Sequence, residues 1–130
     1  MGLPAWFWVP AGWWAARSAS ASVPGLTVTA TAVPAQVVWE TGDGSRVVCQ
    51  GPGTPWRPGM DASKPSPDCG HTYARPSSAE PGGVFRLTVT VQWRVTWAGG
   101  GQSGAVPALG TSSTTTLRVG ESEALLTPQR

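Results

Sequence analysis

Apolar and polar residues alternate along much of this 130-residue chain, a pattern typical of half-buried β-strands. The clearest case covers residues 84–98, where every odd position from Phe85 to Trp97 is apolar and the even positions between them are Arg, Thr or Gln. Strands of globular proteins usually have about five or six residues. We therefore expect this strand to bend or to continue beyond the core as a ribbon.

Shorter alternating segments predict more strands before it. Residues 19–23 alternate Ala or Val with Ser, and residues 26–32 alternate Leu, Val or Ala with Thr. Pro24-Gly25 and Pro34 mark the ends of these two segments, because both residue types interrupt strands. A third short strand is expected over residues 36–40.

The remaining elements follow the same logic. Residues 45–50 are predicted to return as the hairpin partner of residues 36–40, and residues 111–119 to pair with the long strand as the closing strand. Residues 51–70 and 99–110 are rich in Gly and Pro and are expected to form loops. Residues 121–126 could begin a helix that Pro128 stops, so the chain is predicted to be all-β with a frayed tail.

Two short motifs stand at the predicted strand ends. Trp39 is followed by the turn Gly42-Asp43-Gly44, and a later His71-Thr72-Tyr73 precedes the long strand. Together they resemble the PKD domain, an immunoglobulin-like β-sandwich, over roughly residues 20–120. The resemblance implies an extracellular spacer or binding module. It also implies structural roles for six residues, which are Trp39, Gly42, Asp43, Gly44, His71 and Tyr73.

Each motif also has a chemical interpretation. Asp43 could ligate calcium with Glu40 as its acidic neighbour, but one carboxylate is not a site, so a structural turn is favoured. His71 has no partner at the spacing of a Ser/His/Asp site. By analogy with sandwich domains in which a corner tyrosine bonds backbone, Tyr73 is predicted to be structural. We expect no catalytic residue, and the protein is interpreted as not an enzyme.

The chain departs from the usual PKD pattern at Glu40-Thr41, where an aromatic residue commonly occurs, and in its long segment between Cys49 and Cys69. These departures resemble a variant found in secreted proteins of high-GC actinobacteria. The abundance of Ala, Gly, Pro and Arg, and the absence of Ile and Asn, agree with such a source.

The two cysteines flank the Gly/Pro-rich segment. A disulfide across its ends would restrict the unfolded chain and contribute about 3 kcal/mol, and it would indicate an oxidising compartment. The alternatives are free thiols, or a zinc site of Cys49, Cys69, His71 and Asp68. No Cys-x-x-Cys or His-x-x-x-His pair is present, so the disulfide is favoured and no metal is expected.

Charge, motifs and hydrophobicity together disfavour nucleic acids, nucleotides and membranes as partners. Only 12% of the residues are charged and the net charge is +2, which favours neither nucleic acid nor an anionic membrane. The segment from Gly59 to Lys64 lacks the second glycine of a phosphate-binding loop, and Pro65 follows the lysine, so no nucleotide or other cofactor is predicted. No apolar run is long enough to span a membrane.

Residues 1–16 contain no basic residue before Arg17 and are interrupted by Pro4 and Pro10, which makes them a poor export signal. We expect the true start and its signal to lie upstream. The predicted organisation is a Trp-rich segment (1–18), a PKD-like sandwich (19–120) and a tail (121–130), located outside the cell or on its surface.

The N-terminal segment concentrates large rings, and three interpretations compete. It could cover the sandwich as an enlarged aromatic core, dock a partner protein as an exposed patch, or stack on sugars or a membrane interface. The candidate binding surface is Trp6, Phe7, Trp8, Trp13 and Trp14. The sequence thus predicts a binding or spacer module of the cell envelope. The alternatives are a subunit of an envelope assembly that docks a protein through this segment, and a carbohydrate-binding module whose partner is a polysaccharide.

Overall fold

The computed structural model describes residues 2–120 and 124–127. Strands make up 56% of the structure, with almost no helix, so the all-β prediction is confirmed. The strands in the described residues are β1 (Leu3–Trp6), β2 (Arg17–Val23), β3 (Leu26–Glu40), β4 (Arg46–Cys49), β5 (Gly70–Tyr73), β6 (Phe85–Gly99), β7 (Gln102–Val119) and β8 (Ala124–Thr127). Single turns of 3₁₀ helix cover Ala11–Trp13, Ser77–Ala79 and Pro81–Gly83. None of these helical turns is long and apolar enough to cross a membrane.

The strands form two curled antiparallel sheets. The smaller sheet pairs β1 with β5, and the larger has the order β2-β3-β6-β7-β8. β4 also joins the larger sheet, on the same side of β3 as β2, because β6 occupies the other side. β2 pairs with the first half of β3, and β4 pairs with its last four residues. The predicted pairing of the long strand with the closing strand is confirmed by the β6–β7 register.

The core lies between the two sheets, at the end of the large sheet where β3 ends and β6 begins. The alternation in β6 aims Phe85, Leu87, Val89, Val91 and Trp93 inward, and all five are buried. They pack with residues of β3, with Tyr73 of β5 and with residues of the N-terminal segment. The small sheet covers only this end, because its strands have four residues each.

The other half of the large sheet extends past this cover. This blade consists of β2, residues 26–34 of β3, residues 93–99 of β6 and residues 102–109 of β7. Every residue of β2 is exposed, and most of the blade part of β7 is too. The long alternating strand therefore does continue beyond the core as a ribbon, as its length predicted.

The predicted break at Pro34 is wrong, because β3 runs unbroken from Leu26 to Glu40. Pro34 pairs with Trp93 on the β6 side, next to a register shift between Pro34 and Gln36. On its other side the pairing with β2 ends at Ala32 and the pairing with β4 begins at Val37. Proline lacks an N–H donor and is tolerated at such a bulge facing an unpaired stretch.

The predicted loop over residues 99–110 is also wrong, because β7 begins at Gln102. Gly100 and Gly101 have φ values of 61° and 77° and form a two-residue hairpin turn that suits glycine. A second register shift, between Trp93 and Val95, accommodates the part of β7 that contains Pro107, so the pairing of β6 with β7 continues past Trp93. In the tail, Ala124–Thr127 forms β8 on β7 and not a helix, while residues 121–123 and 128–130 lie outside the described residues.

The N-terminal segment belongs to the core. Ala5, Phe7 and Val9 are buried, and the Phe7 ring stacks on Trp39 with 4.6 Å between centroids. Backbone bonds hold it in place, since the Phe7 amide donates to the Cys69 carbonyl at 3.0 Å and the Val9 amide to Pro52 at 2.9 Å. This segment closes the end of the core that the short β1–β5 sheet would leave open.

We expect Phe7→Ala to lower the free energy of unfolding by about 3–5 kcal/mol, because it removes a ring that is 2% exposed and leaves a cavity. Trp13→Ala is the matched control in the same segment. Its ring is 41% exposed, so its loss should cost about 1 kcal/mol or less. Guanidinium unfolding followed by far-ultraviolet circular dichroism measures both. Equal losses for the two variants would contradict a core role for the segment.

Candidate functional site

The turn after β3 is shaped by its glycines. Gly42 has a φ of 86°, and a Cβ on it would lie 2.6 Å from the carbonyl oxygen of Arg86, so only glycine fits there. Asp43 at the centre of the turn accepts hydrogen bonds from the Thr41 hydroxyl and, at 3.3 Å, from the Ser45 amide. These bonds fix the direction in which the Asp43 carboxylate points.

The carboxylate points at β5. Oδ2 of Asp43 and Nε2 of His71 are 2.8 Å apart, and both side chains are mostly buried. The imidazole also meets the Tyr73 ring edge-on at 4.6 Å between centroids. The two motifs that are separate in the sequence therefore form one cluster, in which the turn after β3 is bonded to the strand of the small sheet.

Several effects act on the Asp43 carboxyl. Burial raises its pKa, but the hydrogen bonds from Thr41 and His71, the charge of His71 and the bond from the Ser45 amide outweigh burial. The pKa of Asp43 is therefore lowered from its ordinary value of 3.8. The carboxylate remains charged and bonded at neutral pH.

Tyr73 completes the cluster from inside the core. Its hydroxyl donates to the carbonyl oxygen of Thr41 at 2.8 Å, and its ring stacks on Phe85 at 4.9 Å between centroids. Burial raises the pKa of Tyr73, and the nearby Asp43 charge raises it further. The phenol therefore keeps its proton and acts as a hydrogen-bond donor to backbone, which is the role predicted from the sequence.

The disulfide is confirmed. Cys49 at the end of β4 and Cys69 just before β5 are bonded with their Cα atoms 5.7 Å apart, and neither is a free thiol. Zinc binding by these two cysteines is therefore excluded, because both sulfurs are oxidised. The bond ties the large sheet to the small one and closes the irregular segment of residues 51–69.

A groove of about 310 Å³ lies beside this bond, bordered by β4, β5 and the end of the irregular segment. Its polar lining includes Ser66, Asp68, His71 and Thr72. In the described residues no hydroxyl or thiol bonds to His71, whose partner is Asp43, and no three His, Cys, Asp or Glu side chains gather as metal ligands. The arrangement orients the His71 imidazole towards the Asp43 carboxylate.

The predicted aromatic surface is divided by the structure. Phe7 lies in the core, while Trp6, Trp8 and Trp14 are partly buried. The Trp6 indole nitrogen donates to the carbonyl of Lys64 at 2.9 Å, so it fastens the irregular segment. Trp13 is the ring that the structure leaves most exposed in this group, whereas Phe7 is buried, so the five residues do not form one exposed surface.

Two buried polar residues of the cluster region were not predicted from the sequence. Thr41 is fully buried and joins Asp43 to Tyr73, at the position where the PKD pattern commonly has an aromatic residue. Ser77 is also buried, and its hydroxyl donates to the Gly83 carbonyl at 2.6 Å while accepting from the Val119 amide at 3.0 Å. The departure at Thr41 was itself a signal, whereas Ser77 lies in a segment with no periodic pattern.

We expect Tyr73→Phe to lower the free energy of unfolding by about 1–3 kcal/mol, because the Thr41 carbonyl loses a buried donor. The phenylalanine ring can still stack on Phe85, so the change isolates the hydroxyl. Urea unfolding midpoints of the two proteins provide the measurement. An unchanged midpoint would mean that this bond does not stabilise the fold.

The lowered pKa of Asp43 predicts a dependence of stability on pH. A carboxyl with a lower pKa in the folded state stabilises the fold above its unfolded pKa of about 3.8, and this contribution is lost as the pH falls through the folded value. Asp43→Asn should therefore be less stable than the parent at neutral pH, and the difference should shrink below about pH 4. Glu40→Gln, which changes an exposed carboxylate at the end of β3 next to this turn, is the control and should show a smaller difference. Unfolding curves recorded across this pH range test the expectation, which fails if the Asp43→Asn difference stays constant.

A scan against protein-family models, a search of curated proteins and a search of solved structures each found no match to this chain. The PKD resemblance thus rests on the two motifs alone, of which Asp43, His71 and Tyr73 meet in one cluster between the sheets.

Proposed function

We propose that the protein is a non-enzymatic extracellular binding or spacer module of the cell envelope, with an immunoglobulin-like fold of the PKD type. The observation that carries this proposal is the division of the chain into a cross-linked base and an exposed blade. The base is the end of the large sheet that the β1–β5 sheet covers, and it buries Phe7, Trp39, Tyr73 and Phe85, while the blade extends beyond this cover.

The residues that could act in catalysis have structural roles in the base of the molecule. Asp43, His71, Thr41 and Tyr73 bond to one another or to backbone, so their polar atoms are engaged in holding two sheets together. A catalytic centre needs a positioned nucleophile or acid facing substrate, and His71 has Asp43 as its partner in the described part of the chain. The groove beside the disulfide is thus assigned no catalytic role in this proposal.

Redox chemistry supports the proposed compartment. A buried disulfide that closes an irregular, proline-rich segment is typical of proteins that fold in oxidising surroundings. The same bond and the N-terminal segment fasten the ends of that segment, which suits a module exposed to proteases. These features favour the outside of the cell.

A second candidate is a subunit that docks a partner protein through the N-terminal aromatic residues. The exposure of Trp13 favours it, because exposed tryptophan is common at binding hot spots. The docking surface of this candidate is smaller than the sequence indicated, because Phe7 is buried in the core. A polysaccharide platform has less support, because Phe7 is buried and Trp6, Trp8 and Trp14 are only partly exposed.

Fractionation of the producing organism tests the proposal. We expect the protein in the medium or the envelope fraction, with both cysteines unreactive towards a maleimide until a reductant is added. Recovery in the cytoplasm with two reactive thiols would overturn the extracellular assignment.

The binding role is tested by co-sedimentation of the purified protein with isolated envelopes. The parent and His71→Gln should sediment alike, because the proposal gives the groove no part in binding. Loss of sedimentation in Trp13→Ala alone would favour the second candidate. A protein that stays entirely in the supernatant would contradict the envelope module.

A further inference from the structure

The basic residues in the described part of the chain fall into two sets. Five lie in strands, and these are Arg17, Arg46, Arg86, Arg94 and Arg118. Three lie in the irregular connections before and after β5, and these are Arg57, Lys64 and Arg75. The side chains of both sets are exposed. The two sets differ in the residue that follows each basic residue.

A proline follows every basic residue of the irregular set. The pairs are Arg57-Pro58, Lys64-Pro65 and Arg75-Pro76. The strand arginines are followed by Ser18, Val47, Leu87, Val95 and Val119. Seven of the 35 residues from 50 to 84 are proline, so chance would place one after a given basic residue about one time in five. Three pairs out of three are therefore more than composition supplies.

The irregular set marks the bonds that an endoprotease would reach first. Proteases of the trypsin type hold a Lys or Arg side chain in a specificity pocket and hydrolyse the peptide bond that follows it. Exposed segments outside the sheets are the preferred sites of such cleavage. The bonds after Arg57, Lys64 and Arg75 lie in segments of this kind, so an unprotected chain would be cut there.

Proline makes these three bonds poor substrates. Its ring fixes φ near −65°, replaces the amide hydrogen with carbon and crowds the residue before it. In a serine protease the catalytic histidine approaches the leaving nitrogen to give it a proton. The proline ring occupies part of that space, and its fixed φ prevents the chain from adjusting. The exposed bonds after Arg57, Lys64 and Arg75 are therefore protected without being buried.

The strand arginines are protected by pairing instead. Each is in register with a residue of a neighbouring strand, in the pairs Arg17–Ala32, Arg46–Glu40, Arg86–Thr116, Arg94–Val33 and Arg118–Leu125. A protease cleft accepts a strand only after the strand has left its sheet, and that release requires partial unfolding. Arg17 has a further restraint, because its guanidinium donates to the Gly12 carbonyl at 2.9 Å.

Single hydrogen bonds also hold two of the irregular sites. The Lys64 carbonyl accepts the Trp6 indole N–H at 2.9 Å, and the Arg57 carbonyl accepts the Met60 amide at 3.1 Å. One bond at an exposed turn opens at far less cost in free energy than a strand ladder. Such bonds cannot replace the protection that pairing gives to the strands, so the prolines are the main barrier at these sites.

We propose that the folded, oxidised chain resists endoproteases that cleave after lysine or arginine, and that two complementary devices provide this resistance. Strand pairing protects the bonds after the five strand arginines, and proline protects the bonds after Arg57, Lys64 and Arg75. The irregular connections between β4 and β6 therefore present no readily cleaved basic site. This resistance is a property of the chain itself and does not depend on what the module binds or where it acts.

Digestion of the full-length oxidised protein with trypsin tests the proposal. We expect the folded parent to remain intact, whereas Pro58→Ala should be cleaved after Arg57 at least roughly tenfold faster, because an exposed turn opens easily. Pro55→Ala is the matched control, since it removes an exposed proline of the same segment without changing the residue after a basic one. It should resist like the parent. Mass spectrometry after reduction identifies the cut bond, because the disulfide between Cys49 and Cys69 holds the fragments together.

Three results would overturn the proposal. Cleavage of the folded parent after Arg57, Lys64 or Arg75 would show that proline does not protect these bonds. Equal resistance of the parent and Pro58→Ala would assign the protection to the local hydrogen bonds. The reduced, urea-unfolded parent should be cut after its strand arginines much faster than the folded form, and equal rates would mean that pairing protects nothing. Circular dichroism verifies that each variant is folded, and Pro65→Ala, followed by cleavage after Lys64, replaces Pro58→Ala if that variant does not fold.

Discussion

The structure depends on a mismatch of length between the two sheets. β3 and β6 have 15 residues each and β7 has 18, which correspond to about 50 Å or more of extended chain. The strands β1 and β5 that cover the large sheet have four residues. A closed core can form only where both layers exist, so it occupies one end of the large sheet. The blade is what remains of the long strands beyond that cover.

The small β1–β5 sheet is held in place by several local bonds of different kinds. The disulfide fastens the end of β4 to the start of β5, and the Tyr73 hydroxyl fastens the other end of β5 to the turn after β3. Between them, His71 bonds to Asp43. The N-terminal segment then adds backbone bonds to both ends of the irregular loop. These contacts compensate for the small area that four-residue strands can bury.

The sequence predicted strands wherever apolar and polar residues alternate, because burial of one face imposes a period of two. It predicted wrong ends where Pro and Gly interrupt that period. Pro34 and the Pro107 region proved to be bulges inside long strands, since a bulge can absorb a residue without an N–H donor on an open edge. Whether an edge is open depends on which strands pair beside it. That information is not local in the sequence, so propensity alone could not supply it.

The same lack of non-local information limited the prediction of the site. Its glycines and its Asp43, His71 and Tyr73 were singled out from the motifs, but their mutual bonds join residues far apart in the chain. Thr41 stood out as a departure from the PKD pattern, but its role in joining two motifs was missed because nothing local in the sequence assigns its bonds.

The N-terminal rings were ambiguous for a related reason, since an unpatterned aromatic cluster fits both a core and a surface. Phe7 belongs to the core because its ring meets Trp39, which no count of tryptophans could predict.

The alternation does not show what the apolar face of a strand contacts, and that contact bears directly on function. The sequence pattern of a strand with one apolar face is the same whether that face packs in its own core or against another molecule. In β6 the same pattern continues from the buried Phe85 to the partly exposed Trp97 without any change in residue type. Only the pairing of the strands shows that Val23 and Leu26, which lie on the same face, are exposed, because the four-residue strands of the small sheet do not reach them.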